Sequence, residues 1–161
     1  MQKDSILHSC EPAFPTSRLL SIVVPAFNEE EVLTEFQNRL AAVLNSIPIS
    51  TEIIYVNDGS TDKSLRLMNN FREKNPDIAI VDLSRNFGKE VALSAGLDHA
   101  NGDAVVFIDA DLQDPPELIP DLVKCWEEGY DVVNANHVTH RPANRLQCKY
   151  RRLRQTESLG Y

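Results

Sequence analysis

The chain alternates continuous apolar runs with segments in which apolar residues recur every three or four positions. The continuous apolar run over residues 19–27 predicts a strand buried on both faces, and further strands are predicted over residues 51–58, 77–84, 103–109 and 130–133, the last of them short. The helical spacing between them predicts helices over residues 28–44, 63–73, 88–100 and 115–128. This alternation, with short connections, predicts an α/β fold with a doubly wound, mostly parallel sheet and helices on both faces.

Composition divides the chain into three parts. Residues 1–18 lack periodicity and are expected to be a loose leader, residues 19–136 the folded domain, and residues 137–161 a basic tail, partly disordered. Residues 1–136 hold 10 Lys/Arg against 23 Asp/Glu, whereas residues 137–161 hold six against one. The acidic body argues against nucleic acid as a partner. The tail could meet phosphates or an anionic membrane surface, or be a solvated, frayed end.

The sequence has no apolar stretch near the about 18 residues of a membrane span, and its start lacks the apolar core of a signal peptide. The three cysteines, Cys10, Cys125 and Cys148, show no close spacing. We therefore expect reduced thiols and a cytoplasmic protein, with neither a disulfide framework nor a zinc site.

Polar clusters follow four of the predicted strands. In open parallel sheets ligands bind outside the carboxyl ends of the strands. Every polar cluster of interest falls on that edge, in residues 25–30, 56–60, 84–89 and 109–114. The sequence therefore predicts one ligand site there.

The string FIDADLQDPPE places Asp109 and Asp111 where a buried strand ends, with Asp114 close behind. Such a cluster is either a solvated turn or a site for a cation, since like charges this close repel unless compensated. Hard carboxylate oxygens suit Mg²⁺ or Mn²⁺ bridging a diphosphate. Asp58, in VNDGS, is equally open to two interpretations, a hydrogen-bond acceptor for a base or ribose and an Asx-type turn cap.

Several strings resemble successive blocks of one family: SIVVPAFNEEEVL, IIYVNDGSTDKS, LSRNFGKEVALSAGLDHANGDAVVFIDADLQDPPELI and EGYDVV. They look like family 2 glycosyltransferases with the GT-A (Rossmann-like) fold. More narrowly, they resemble the polyprenyl-phosphate hexosyltransferases, such as dolichyl-phosphate mannosyltransferase and undecaprenyl-phosphate glucosyltransferases. The resemblance covers roughly residues 20–133 and is densest from Leu83 to Ile119.

The resemblance implies a set of site residues. The nucleotide-sugar-binding residues would be Pro25, Phe27, Glu29, Val56, Asp58, Asp109, Ala110, Asp111 and Gln113. Asp109 and Asp111 would also hold the metal and act in catalysis. Phe27 stands where the family usually has tyrosine, and Asn57 replaces the first of a common Asp pair. Arg85 and Lys89 would line the site without being ligands.

The implied reaction is inverting transfer of a hexose from a nucleotide diphospho-sugar, UDP-glucose-like or GDP-mannose-like, to a polyprenyl phosphate. A divalent ion, Mg²⁺ or Mn²⁺, would offset the charge of the departing diphosphate. The acceptor phosphate is already an anion near neutral pH, so a strong general base is less necessary than for a sugar hydroxyl.

The chain departs from the family after EGYDVV. The string NANHVTHRPANRLQCKY intervenes before RRLRQTES, which resembles the family's arginine segment. With an insertion, Arg151 is the expected catalytic arginine; without a gap His137 would stand there, and a third interpretation makes the tail unrelated sequence.

The resemblance also implies membrane-associated parts and an acceptor side that these 161 residues do not include. The alternative function is therefore a truncated, inactive relative that binds a nucleotide sugar. A dinucleotide-dependent oxidoreductase is disfavoured because no GxGxxG follows the first strand, and no P-loop motif is present. The protein would be cytoplasmic, or at the cytoplasmic face of the membrane if a longer form carries spans.

Overall fold

The computed structural model describes residues 18–136 and 145–151. Within them lie six strands, β1 Leu19–Ala26, β2 Ser50–Asn57, β3 Ile78–Asp82, β4 Ala104–Phe107, β5 Tyr130–Asn136 and β6 Arg145–Arg151. The α-helices are α1 Leu33–Leu44, α2 Ser64–Lys74, α3 Lys89–His99 and α4 Ile119–Glu127. A short 3₁₀ turn, Pro116–Leu118, leads into α4.

Four of the strands form one parallel sheet in the order β3-β2-β1-β4. β1 is buried along almost its whole length, as its continuous apolar run predicts. The doubly wound α/β class with a mostly parallel sheet is confirmed.

Apolar side chains cover both faces of this sheet. On one face Leu20, Ile22 and Tyr55 pack with α1, α2 and α4. On the other face Val23 and Val56 pack with α3, where Gly96 allows close approach. A Cβ on Gly96 would lie 2.3 Å from Val23 Cγ1. The sheet is therefore covered by helices on both sides, and its carboxyl edge is left for polar residues.

Helix α1 begins five residues later than its apolar spacing predicts. Asn28 adopts a left-handed φ of 56°, and the backbone N–H groups of Glu29 and Glu30 donate to side chains of another segment. These residues form a turn ahead of the helix, so Glu35 is the acidic residue of its first turn.

The fifth strand does not join the parallel sheet. β5 pairs antiparallel with β6 in a separate two-stranded sheet, with Tyr130 opposite Arg151. β6 falls within the segment expected to be a basic tail. The remainder of that tail and nearly all of the expected leader lie outside the described residues.

The cysteine chemistry differs from the sequence expectation at one residue. Cys125, in α4, is disulfide-bonded in the structure, so the expectation of reduced thiols is wrong at this residue. Across residues 18–136 and 145–151, none of the helices combines the length and hydropathy needed to cross a bilayer.

Candidate functional site

The carboxyl ends of β1, β2 and β4 lie side by side. Pro25 pairs with Val56 and Ala26 with Asn57, and the Asp58 N–H donates to the Ala26 carbonyl at 3.0 Å. Next to them the Ile108 N–H donates to the Val23 carbonyl at 3.1 Å. The polar segments that follow these strands are thereby brought to one edge, as the strand pattern predicts.

Residues 28–30 and 60–64 form two turns that exchange hydrogen bonds between backbone N–H groups and side chains. We call these two segments the capped turns. Ser60 Oγ accepts the N–H of Asn28 at 3.0 Å, and Asn28 Oδ1 accepts the N–H of Thr61 at 2.8 Å. The same exchange recurs further along. It comprises Glu29 N–H to Ser64 Oγ at 2.8 Å, Glu30 N–H to Asp62 Oδ2 at 3.0 Å, and Lys63 N–H to Glu30 Oε2 at 2.8 Å. Backbone donors before α1 and α2 are thus satisfied across the two turns.

Asp58 anchors the loop before α3 through two hydrogen bonds. It is only 4% exposed, and its carboxylate accepts the N–H groups of Phe87 at 2.8 Å and Gly88 at 2.9 Å. The next residue, Gly59, has a φ of 67°, and a Cβ there would lie 2.3 Å from the carbonyl carbon of Arg85. These contacts hold residues 85–88 against the end of β2.

The sequence leaves open whether Asp58 caps a turn, but in the structure Asn57 makes the hydrogen bond that caps this turn. Its Oδ1 accepts the N–H of Ser60 at 3.2 Å, and its Nδ2 donates to Asp82 Oδ1 at 2.7 Å. An aspartate at this buried position could not donate to Asp82.

The acidic motif, residues 109–111, follows β4 directly. Ala110 is buried, whereas Asp109 and Asp111 are partly exposed. Leu112 has a left-handed φ of 63°, and Asp111 Oδ1 accepts the N–H of Gln113 at 2.9 Å. The chain thus turns sharply at Leu112, and the side chain of Asp111 helps to hold that turn.

Lys89, the first residue of α3, donates from its ammonium group to Asp109 Oδ2. This hydrogen bond raises the pKa of Lys89, desolvation opposes the shift, and the negative charges of Asp109, Asp111 and Asp114 add to it. The sequence predicts Lys89 as a lining residue but not this pairing. The spacing carries no signal for it, because the two residues belong to different elements 20 positions apart.

Negative charge also reaches the motif from the capped turns. Burial raises the pKa of Glu29, and the charges of Asp111, Asp62 and Asp109 raise it further. The carboxylate of Glu29 is therefore near enough to Asp109 and Asp111 for their charges to act on it, and its contact with a ligand stays a prediction.

The remaining predicted residues differ in what they can present to a ligand. Pro25 and Val56 are buried in their strands, so their side chains belong to the packed interior next to the site and are not exposed to a ligand. Phe27 is 42% exposed and Gln113 is exposed. Arg151 ends β6, opposite Tyr130; its catalytic role stays a prediction.

The donor set fits a divalent ion that a substrate helps to coordinate. The acidic motif has two carboxylates, one of them paired with Lys89, and Mg²⁺ is commonly held by one or two carboxylates together with substrate phosphates. Among the residues that the structure describes, no group of three His, Cys, Asp or Glu side chains is arranged to hold a metal alone. Such a site would need the oxygens of a bound diphosphate.

Comparison with known proteins places the chain in a family. The family model described as glycosyl transferase family 2 matches residues 21–159. The chain belongs to glycosyl transferase family 2. The match extends through β5 and β6 and through most of the segment expected to be a tail.

Curated members of glycosyl transferase family 2 are similar over most of this chain. An uncharacterised glycosyltransferase of Synechocystis is 59% identical over 116 residues, which is 72% of this chain and 36% of the relative. A bactoprenol glucosyl transferase of Shigella phage SfV is 44% identical over 130 residues, 81% of this chain and 42% of the relative. The chain thus spans about two-fifths of the length of these relatives.

Solved structures support the GT-A fold of this family member. Staphylococcus aureus TarS in complex with UDP-GlcNAc aligns with a TM-score of 0.61 at 28% identity, over 78% of this chain and 37% of that one. A mannosyltransferase from Pyrobaculum calidifontis, in complex with GDP-Man and Mn²⁺, aligns with a TM-score of 0.59 at 26% identity, over 68% and 32%.

Proposed function

We propose that this protein is a glycosyltransferase that moves a hexose from a nucleotide diphospho-sugar to a polyprenyl phosphate, with inversion, and that it uses Mg²⁺ or Mn²⁺. The observation that carries the proposal is the acidic motif at the end of β4, on the same edge as Asp58 and the capped turns. Two carboxylates that would hold a metal, beside a preformed polar edge, suit a nucleotide diphosphate.

The donor would lie along this edge. Asp109 and Asp111 would hold the metal, which when bound offsets the charge on the departing diphosphate. Glu29 and the exposed ring of Phe27 stand at the end of β1, in reach of a base or ribose. Asp58 would act on the same part of the ligand, through the loop that it clamps and through its remaining acceptor capacity.

The proposed acceptor rests on similarity to named relatives and on the positive charge of residues 137–154. A phage relative is named a bactoprenol glucosyl transferase. Another relative, from Edwardsiella ictaluri, is named an undecaprenyl-phosphate 4-deoxy-4-formamido-L-arabinose transferase and is 40% identical. Residues 137–154 hold six Lys/Arg and no Asp or Glu. Arg151 among them would meet a phosphate, and the segment as a whole would favour an anionic membrane surface.

A second candidate is nucleotide-sugar binding without transfer. The matched region is 36% to 43% of the first seven curated relatives. The candidate donor edge lies within the matched region, and binding needs this edge alone. A radiolabelled sugar-transfer assay to polyprenyl phosphate, run on protein that binds the donor, separates the two candidates.

Calorimetric titration with UDP and with GDP, with and without Mn²⁺, tests the donor site. We expect one of the nucleotides to bind more tightly with Mn²⁺, and Asp111→Ala to remove that gain. Asp98→Ala, which removes an exposed carboxylate from α3, is the matched control and should bind like wild type. If neither nucleotide gains from the metal, or Asp111→Ala keeps the whole gain, the assignment fails.

A further inference from the structure

The Lys89–Asp109 ion pair joins the start of α3 to the first carboxylate of the acidic motif. The lysine side chain is 60% exposed and the aspartate side chain 28% exposed. Because the ammonium group is tethered by a long, mostly solvated stem, it can leave Asp109 without disturbing the core.

The backbone that carries Lys89 is held much more firmly than its side chain. Asp58 accepts the N–H groups of Phe87 and Gly88, the two residues before it. Gly59 lies against the backbone of Arg85 and Asn86, since a Cβ on Gly59 would be 2.3 Å from the carbonyl carbon of Arg85 and 2.5 Å from the backbone nitrogen of Asn86. The backbone before Lys89 is therefore fixed, whereas its ammonium group is on a largely exposed side chain beside a motif with two carboxylates.

An ammonium group on Asp109 would compete with a divalent ion for that carboxylate. It also repels that ion through its own charge. A diphosphate brings several negative charges to this edge and offers the ammonium group an alternative partner. Departure of Lys89 from Asp109 is thus favoured when metal and diphosphate arrive together, and disfavoured when the metal arrives alone.

We propose that Lys89 pairs with Asp109 until a nucleotide diphosphate binds, then pairs with the diphosphate, and so makes metal binding depend on the nucleotide. The inference rests on the proposed function, since it needs a metal and a diphosphate at this edge. It assigns Lys89 a role in the order of binding, which a residue that merely lines the site would not have.

The test compares Lys89→Met, which keeps the length and removes the charge, with Lys89→Arg, which keeps the charge. Mn²⁺ is titrated into each protein without nucleotide, and the free ion is followed by electron paramagnetic resonance. We expect Lys89→Met to bind Mn²⁺ about fivefold more tightly than wild type, the effect of one nearby charge in a solvated site. Lys89→Arg and the control Lys74→Met, a charge removed from the far end of α2, should stay within about twofold.

The affinity of Lys89→Met for the nucleotide should change in the opposite direction to its affinity for Mn²⁺. In saturating Mn²⁺, Lys89→Met should bind the preferred nucleotide, UDP or GDP, about fivefold more weakly, because the ammonium group no longer meets the diphosphate. A purely structural role would weaken both kinds of binding together. Unfolding midpoints close to wild type would show that the fold is intact in each variant.

The results separate the two proposals. If the nucleotide binds with metal but Lys89→Met leaves the affinity for Mn²⁺ alone unchanged, the role of Lys89 is wrong and the proposed function stands. If no nucleotide gains from the metal even in wild type, the proposed function fails and the role of Lys89 fails with it.

Discussion

The Oδ1 atom of Asp58 lies 2.8 Å from the backbone nitrogen of Phe87 and accepts its hydrogen bond. This contact links the end of β2 to the loop before α3, and the second oxygen of the same carboxylate adds Gly88. Asp58 is therefore a structural anchor of the candidate site, and its contact with a base or ribose stays a prediction.

Replacing Asp58 with asparagine should lower both stability and nucleotide affinity. An amide can accept only one of the two N–H bonds, and its own NH₂ group would face the other donor. We expect a loss of about 1–3 kcal/mol in the free energy of unfolding, measured by urea denaturation, together with weaker nucleotide binding by calorimetry. Asp98→Asn, an exposed position in α3, serves as control. An unchanged stability would contradict the anchoring role.

The Asn57–Asp82 hydrogen bond makes a reciprocal test possible. Asn57→Asp places a second carboxylate against Asp82 at a position 1% exposed and removes the donor between β2 and β3. We expect a loss of about 1–3 kcal/mol in unfolding free energy. Adding Asp82→Asn restores a donor and acceptor pair in reversed order and should recover part of that loss. No recovery in the double variant would show that the pair is not the cause.

Glu52 should make stability depend on pH. Its carboxylate accepts from Ser21 Oγ at 2.6 Å and from the Asn101 N–H at 2.7 Å. Desolvation raises the pKa of Glu52, but the hydrogen bonds of Ser21, Asn101 and Gly102 together outweigh it and hold the pKa below its ordinary value. The stabilisation is therefore complete above about pH 4.3, the ordinary value for Glu, and is lost as the pH falls through the lower folded pKa.

Glu52→Gln provides the measurement. Near neutral pH the variant should have a free energy of unfolding about 1–2 kcal/mol lower than wild type. It should therefore unfold at a lower urea concentration. The difference between the two proteins should shrink as the pH is lowered from about 4.3. A difference that stays constant into that acid range would mean that the charge of Glu52 does not contribute.

The basic segment, residues 137–154, should bind anionic vesicles weakly and reversibly. Basic residues near such a surface contribute about 1 kcal/mol each, and salt screens that attraction. Vesicle sedimentation should show association at low ionic strength and its loss near 0.15 M salt, where the screening length is about 8 Å. Neutral vesicles and a variant with Arg151, Arg152 and Arg154 changed to glutamine are the controls. Salt-resistant binding would contradict this electrostatic origin.

Much of the fold can be predicted from the alternation of apolar runs and helical spacing. The four parallel strands and the four helices appear close to their expected positions. The start of α1 could not be predicted, because Glu29 and Glu30 find their hydrogen-bond partners on residues 62–64, over 30 positions away. The antiparallel pairing of β5 likewise depends on β6, whose sequence resembles a solvated tail.

The site is predictable in its location and less so in its contacts. The position of the acidic motif follows from the rule on strand ends. The pairing of Lys89 with Asp109 and the clamp from Asp58 to residues 87 and 88 depend on how α3 packs across the sheet. Such packing is tertiary, and no local pattern of residues specifies it.

The capped turns have a consequence for the energetics of recognition. A loop that must be ordered by its ligand consumes part of the interaction free energy in lost conformational entropy. Here the backbone before α1 and α2 is already tied together by the hydrogen bonds between residues 28–30 and 60–64. A ligand at this edge therefore meets a preorganised surface, and its binding energy goes into contacts instead of into folding the loops that make them.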